Sequence, residues 1–128
     1  MDDLPPILVV DDEMIVRLAL VDALQEGGYT VLEAEDGNTA LDVIAKSEKL
    51  RALVTDIRLP GADGWQIAHN ARQKFASLPV VYVSGDSAAD WAANGVPMSL
   101  VLQKPFASAE LVTALATLLV TQQRPAQL

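Results

Sequence analysis

Residues 54–65 read VTDIRLPGADGW, an apolar run that ends on one acid, Asp56, and then breaks into a turn built on Pro60, Gly61 and Gly64. Proline and glycine in such a cluster continue neither a strand nor a helix, so the stretch is a strand exit followed by a loop. Helical character resumes at about Trp65. An aspartate alone at the end of a strand is ordinarily a cap or a turn former. Whether Asp56 is more than that depends on what the rest of the chain brings to the same place.

Working outward from this turn, the same grammar repeats. Ile7, Leu8, Val9 and Val10 form a continuous apolar run, the pattern of a parallel strand buried on both faces, and it stops at Asp11-Asp12-Glu13. Ile15, Leu18, Ala19, Val21, Ala23 and Leu24 then recur at helical spacing up to Gly27-Gly28, a strong stop. Residues 30–34 predict a second, weaker strand, and Asp36-Gly37 turns into a helix with Ala40, Leu41, Ile44 and Ala45 on one face. Residues 52–55 predict the third strand, 65–75 a helix, and 79–83 a fourth strand ending in Ser84-Gly85. A short Ala-rich helix is expected over 87–94, a fifth strand over 99–102 ahead of Lys104-Pro105-Phe106, and a last helix from Ser108, read as its N-cap, to about residue 121. Residues 122–128 read as a frayed tail. Five strands alternating with five helices through short loops predict an α/β domain with a parallel sheet covered on both faces.

Length and composition agree with one domain spanning 1–128, with a core over about 6–121. Nine basic against 17 acidic side chains leave a net charge of −8, which argues against nucleic acid as a ligand because little is present to neutralise phosphates. The absence of cysteine excludes disulfides and thiolate metal sites. The acidic start MDDLPP lacks the basic region of a secretory signal, and no apolar run reaches membrane-spanning length, so a cytoplasmic protein with no membrane association is expected. A Gly-rich phosphate loop after the first strand is missing, which disfavours a dinucleotide site.

In an open parallel sheet, ligands bind at the carboxyl ends of the strands where the strand order reverses. Strand one delivers Asp11 and Asp12 there, strand three Asp56, strand four Ser84 and strand five Lys104; strand two offers only Glu33, Glu35 and Asp36, with no clear partner. If the order is 2-1-3-4-5, strand two lies at the edge and the other four bring their ends together. Three carboxylates in one pocket cannot all stay ionised without a counter-charge. A hard divalent cation solves that problem, and Mg²⁺ suits few protein ligands, several waters and a phosphate. A lysine and a hydroxyl opposite it complete a cage for a phosphoryl group, toward which a carboxylate is a competent nucleophile.

The pieces VVDDE, TDIRLPGADG, VSG and KPF, in that order and at those strand ends, resemble the receiver domain of two-component response regulators from Ile7 to about Val120. The resemblance implies a flavodoxin-like α/β/α fold with strand order 2-1-3-4-5. It also implies phosphorylation of Asp56 by a histidine kinase or histidine phosphotransfer protein, and Mg²⁺ held by Asp12, Asp56 and the backbone carbonyl of Arg58. Asp11 would orient metal-bound water, Ser84 would contact the phosphoryl group, Lys104 would bridge to it, and the bond before Pro105 would be cis. Signalling would proceed through phosphorylation-dependent binding of a target protein by a monomer or weak homodimer. Apart from this self-catalysed transfer and its reversal by hydrolysis, the chain is not expected to be an enzyme.

Three departures from the family pattern stand out. Receivers commonly carry an aromatic switch residue three positions before the lysine, where this chain has Val101. The segment between Ser84 and Lys104 is short and Ala/Asn/Gly-rich, so a short or unusually placed fourth helix is expected. No output domain is expected after the last helix, as in a free-standing receiver or one excised from a longer protein. Arg58 and Asp86, each two residues beyond a site residue, are expected to face each other across the pocket mouth and hinder hydrolytic water. His69 reads as an exposed helix residue, Trp65 and Trp91 as packing residues, and Glu13 as a solvated first-turn acid suited to the helix dipole. Two rival readings are a pseudo-receiver that binds partners without phosphorylation, and a Mg²⁺-dependent phosphohydrolase; arginine at position 58, where a general acid belongs, disfavours the second.

Overall fold

A computed structural model of the chain describes residues 4–86 and 88–123. Among the described residues five strands alternate with five helices: β1 (Ile7–Val10), α1 (Met14–Glu26), β2 (Val31–Ala34), α2 (Gly37–Lys46), β3 (Ala52–Asp56), α3 (Gly64–Lys74), β4 (Val80–Ser84), α4 (Trp91–Asn94), β5 (Ser99–Gln103) and α5 (Ser108–Gln123). The strands pair in parallel in the order β2-β1-β3-β4-β5. This is the parallel sheet expected from the alternation, in the flavodoxin-like strand order that the resemblance implies. Residue 87 and residues 124–128 lie outside the described residues, so the expected start of the short fourth helix and most of the expected frayed tail are not covered.

Side chains of a strand alternate between faces, and that alternation sorts the core into two layers. Ile7, Val9, Ala52, Val54, Val81 and Val83 pack on one face under α1 and α5. Leu8, Val10, Leu53, Val80 and Tyr82 pack on the other with Ile44 of α2 and Ile67 and Ala71 of α3. The three central strands are buried at every position, which is why their sequences are continuous apolar runs. β2 lies at the edge and exposes Leu32 and Glu33, which explains its weaker apolar character.

Two helices differ from expectation. In α1 the core face is Leu20, Val21, Ala23 and Leu24, whereas Ile15 is 84% and Leu18 51% exposed. Helical spacing alone could not orient an apolar helix whose two sides are both rich in aliphatic residues. In α5, Ser108 is already helical; the Glu110 carboxylate instead accepts from the Ala107 N–H at 2.9 Å. Strands β3 and β4 each run one residue further than expected, so Asp56 and Ser84 are terminal strand residues rather than loop residues. The fourth helix is short as expected: a single 3₁₀ turn, Ala88–Asp90, leads into the four residues of α4, none of them buried.

Candidate functional site

The carboxyl ends of β1, β3, β4 and β5 open into one cleft of about 530 Å³, lined by Asp12, Glu13, Asp56, Arg58, Ser84, Gly85, Asp86 and Lys104. The sheet register explains the convergence: Val10 pairs with Thr55, Asp56 with Val83 and Ser84 with Gln103, so the residues at or just beyond each strand end meet at one level.

Asp56 is held on both sides of its backbone. Its Oδ1 accepts from the Ile57 N–H at 2.8 Å, and its carbonyl accepts from the Thr55 hydroxyl at 2.8 Å. The return of the chain into α3 passes close enough that Gly64 donates its N–H to the Ile57 carbonyl at 2.7 Å. A Cβ at Gly64 would collide with the Asp56 carbonyl oxygen and stand 2.8 Å from the Ile57 Cα, so only glycine fits.

Asp11 is fully buried and Asp56 is 8% exposed, while Asp12 faces solvent. One carboxylate oxygen from each of the three lies within 4.8 Å of the others. The Lys104 ammonium answers this negative charge, 3.2 Å from Asp56 Oδ2 and 3.3 Å from Asp11 Oδ2. Burial pushes the Asp56 carboxyl up; Lys104 offsets part of this, Asp11 adds to it, and the group ends above the ordinary carboxylate range. Burial works the other way on Lys104, but the Asp56 and Asp11 carboxylates outweigh it and hold the ammonium above its ordinary value. An oxygen-only donor set in an open cleft is compatible with Mg²⁺.

Lys104 reaches the cleft from a cis Lys104–Pro105 bond, and its own N–H donates to the Ser84 carbonyl at 2.7 Å. The Ser84 hydroxyl accepts from the Asp86 N–H at 3.2 Å. Arg58 Nε lies 3.3 Å from Asp86 Oδ1 across the mouth, with both side chains largely exposed. Such a pair contributes little to stability.

Val101 pairs in register with Tyr82 of β4. Val101 and the buried Tyr82 of the neighbouring strand pack in the same layer. The Tyr82 hydroxyl accepts from the Val96 N–H at 3.1 Å, and its ring packs 4.7 Å from that of Trp65. Trp91 donates from Nε1 to the Ser99 hydroxyl at 2.9 Å, and exposed His69 lies 3.1 Å from the Asn94 carbonyl.

Two contributors were not legible in the sequence. Tyr82 reads there as one more apolar strand residue. Arg17 reads as a helix-surface cation, yet its Nη1 donates to the Asp11 carbonyl at 2.9 Å and its Nε to Glu33 Oε1 at 3.0 Å. The partner that β2 lacked in the sequence is therefore on α1.

The doubly wound sheet thus carries an acidic, lysine-bearing cleft at its carboxyl edge. The response regulator receiver domain family matches residues 7–116, and the chain belongs to that family. Over 115 residues it is 36% identical to response regulator MprA of Mycolicibacterium vanbaalenii, a match covering 88% of this chain and 49% of that protein. The chain spans about half the length of the curated relatives it matches. The response regulator receiver protein from Sinorhizobium medicae superposes with a TM-score of 0.91 at 39% identity, over 94% of this chain and 98% of that one. The receiver domain of sensor histidine kinase PA1611 from Pseudomonas aeruginosa, which has a magnesium ion coordinated in its active site cleft, shares the fold at a TM-score of 0.80 and 24% identity, over 92% of this chain and 99% of that one. Among the described residues no helix is long and apolar enough to cross a membrane.

Proposed function

We propose that Asp56 accepts a phosphoryl group from the phosphohistidine of a histidine kinase or histidine phosphotransfer protein, and that a target protein reads the phosphorylated form. The observation that carries this reading is the convergence of three carboxylates, oxygens within 4.8 Å of one another, beside an ammonium 3.2 Å from Asp56. A carboxylate oxygen of Asp56 attacks phosphorus, the P–N bond breaks, and its electron pair returns to the imidazole, leaving an acyl phosphate on the protein. Lys104 shifts its charge from the free carboxylates to the incoming phosphoryl oxygens, and the Ser84 hydroxyl donates a hydrogen bond to them.

The residues fit Mg²⁺, which would be held by Asp12, Asp56 and the Arg58 carbonyl and would neutralise charge on the phosphoryl oxygens when bound. Asp11, whose oxygens face the Glu13 N–H at 2.9 Å and the Lys104 ammonium at 3.3 Å, would orient metal-bound water. Hydrolysis returns the carboxylate and inorganic phosphate. The Arg58–Asp86 pair hinders the attacking water, so Arg58→Ala should change the lifetime of the phosphorylated form; an identical lifetime would remove that role.

Intact mass after incubation with Mg²⁺ and acetyl phosphate should show a labile phosphoryl addition in the wild type and none in Asp56→Asn. No addition in the wild type would favour an interaction module of the same fold. Consumption of the donor without accumulation would favour a phosphohydrolase.

A further inference from the structure

Arg17 does not line the cleft, yet its guanidinium is tied to the turn that carries the acids. With its side chain 12% exposed, it bridges the Asp11 carbonyl, at 2.9 Å, and the Glu33 carboxylate, at 3.0 Å. We propose that Arg17, oriented by Glu33, is a positioning residue for the Mg²⁺ site: it fixes the Asp11–Asp12 peptide and so sets where Asp12 meets Asp56. This rests on the reading of the cleft as a Mg²⁺ site.

The carbonyl that Arg17 holds belongs to the planar unit joining Asp11 to Asp12. Anchoring that oxygen restrains the rotation on either side of the plane, and with it the direction in which the exposed Asp12 leaves the chain. Two restraints fall on Asp11 itself, its N–H donating to the Ala34 carbonyl at 3.2 Å and its Oδ2 facing Lys104, while the Glu13 N–H donating to its Oδ1 at 2.9 Å closes a turn over Asp12 that acts together with Arg17. Glu13 at the N-cap of α1 makes no side-chain capping bond, so the turn is tied to the helix through Asp11 Oδ1 and Arg17. Arginine suits the task because its planar fork serves two acceptors at once, which a lysine ammonium on a flexible stem does not. Glu33 is the second acceptor because β2 pairs with β1 in register, Val9 opposite Glu33, which brings the edge strand's carboxylate alongside the acidic turn.

Electrostatics gives the test its sign. A cation this close to a metal site opposes Mg²⁺ through space, so a purely charge-based role for Arg17 predicts tighter binding when it is removed. Positioning predicts the reverse.

The wild type, Arg17→Ala, Arg17→Lys and Glu33→Gln are titrated with Mg²⁺, following the backbone amide resonances of residues 11–13 and 56–58, and each is unfolded in urea. Arg17→Ala should raise the Mg²⁺ dissociation constant about tenfold or more, as loss of an outer-shell partner does elsewhere. Arg17→Lys should be impaired nearly as much despite its retained charge, and it provides the answer if Arg17→Ala fails to fold. Glu33→Gln, which keeps an oxygen for Nε, should stay close to the wild type. Unchanged or tighter binding in both arginine variants, with or without lost stability, overturns the inference while leaving the Mg²⁺ site standing. A wild type that shows no saturable Mg²⁺ response overturns both.

Discussion

At the scale of single residues, the charge on Asp56 sits in a place that works against it. Burial raises its carboxyl above the ordinary value, and Lys104 does not fully compensate. A raised folded-state value means that the native protein binds the proton more tightly than the unfolded chain. Its contribution therefore favours folding below the unfolded value and is lost as pH rises through the folded one. At neutral pH without divalent cations, Asp56→Asn should unfold at higher urea than the wild type, and the gap should close on acidification into the carboxylate range. Equal midpoints at neutral pH would contradict this. Tyr82 makes a second case: Tyr82→Phe leaves the buried Val96 N–H without its acceptor. Urea denaturation should show a loss of about 1–3 kcal/mol. Asp56 could be singled out from the sequence because Asp11, Asp12, Ser84 and Lys104 stand at the ends of other strands in the same chain. The roles of Arg17 and Tyr82 could not, because each depends on a backbone group brought in from elsewhere, the Asp11 carbonyl for one and the Val96 N–H for the other.

At the scale of elements, the end of α1 is set by residues within one turn of it. The Gly27-Gly28 stop ends α1 as expected, with Gly28 at φ 92° and the Tyr29 N–H donating to the Leu24 carbonyl at 3.0 Å. A Cβ at Gly28 would meet nothing within 4 Å. Gly28→Ala thus isolates the conformational penalty, and thermal or urea unfolding should report a loss of about 1–2 kcal/mol. α3 begins with a capping box in which Asp63 accepts from Gln66 N–H and the Gln66 side chain accepts from Asp63 N–H, both at 2.9 Å. Asp63→Ala should cost about 1 kcal/mol in the same assay. Such signals are local, carried by residues within one turn of each other. Which side of α1 is buried is not local; it is decided by α5 packing against that helix, so Ile15 and Leu18 could not be placed outside from spacing alone.

At the scale of the whole molecule, the cleft exists only because four strand ends are brought level, and ligand binding there should feed back on folding. Under the proposed Mg²⁺ reading, a cation at one hundred times its dissociation constant should add about 2.7 kcal/mol of stability. The wild-type melting temperature should rise with Mg²⁺ and fall back with chelator, and Asp12→Asn should lose most of that response; an undiminished response in Asp12→Asn would count against Asp12 as a ligand. The sequence by itself determined the alternation of strands and helices, the two-sided burial of the central strands and the order in which acids, hydroxyl and lysine reach the strand ends. These follow from side-chain period and from chemistry carried within short segments. Only the tertiary structure decided that Arg17 and Glu33 join behind the acidic turn, that the Tyr82 hydroxyl meets the Val96 N–H, and that Ile15 and Leu18 face outward. Each of those outcomes is a contact between segments distant along the chain, and a contact of that kind is settled by packing, which no local pattern records.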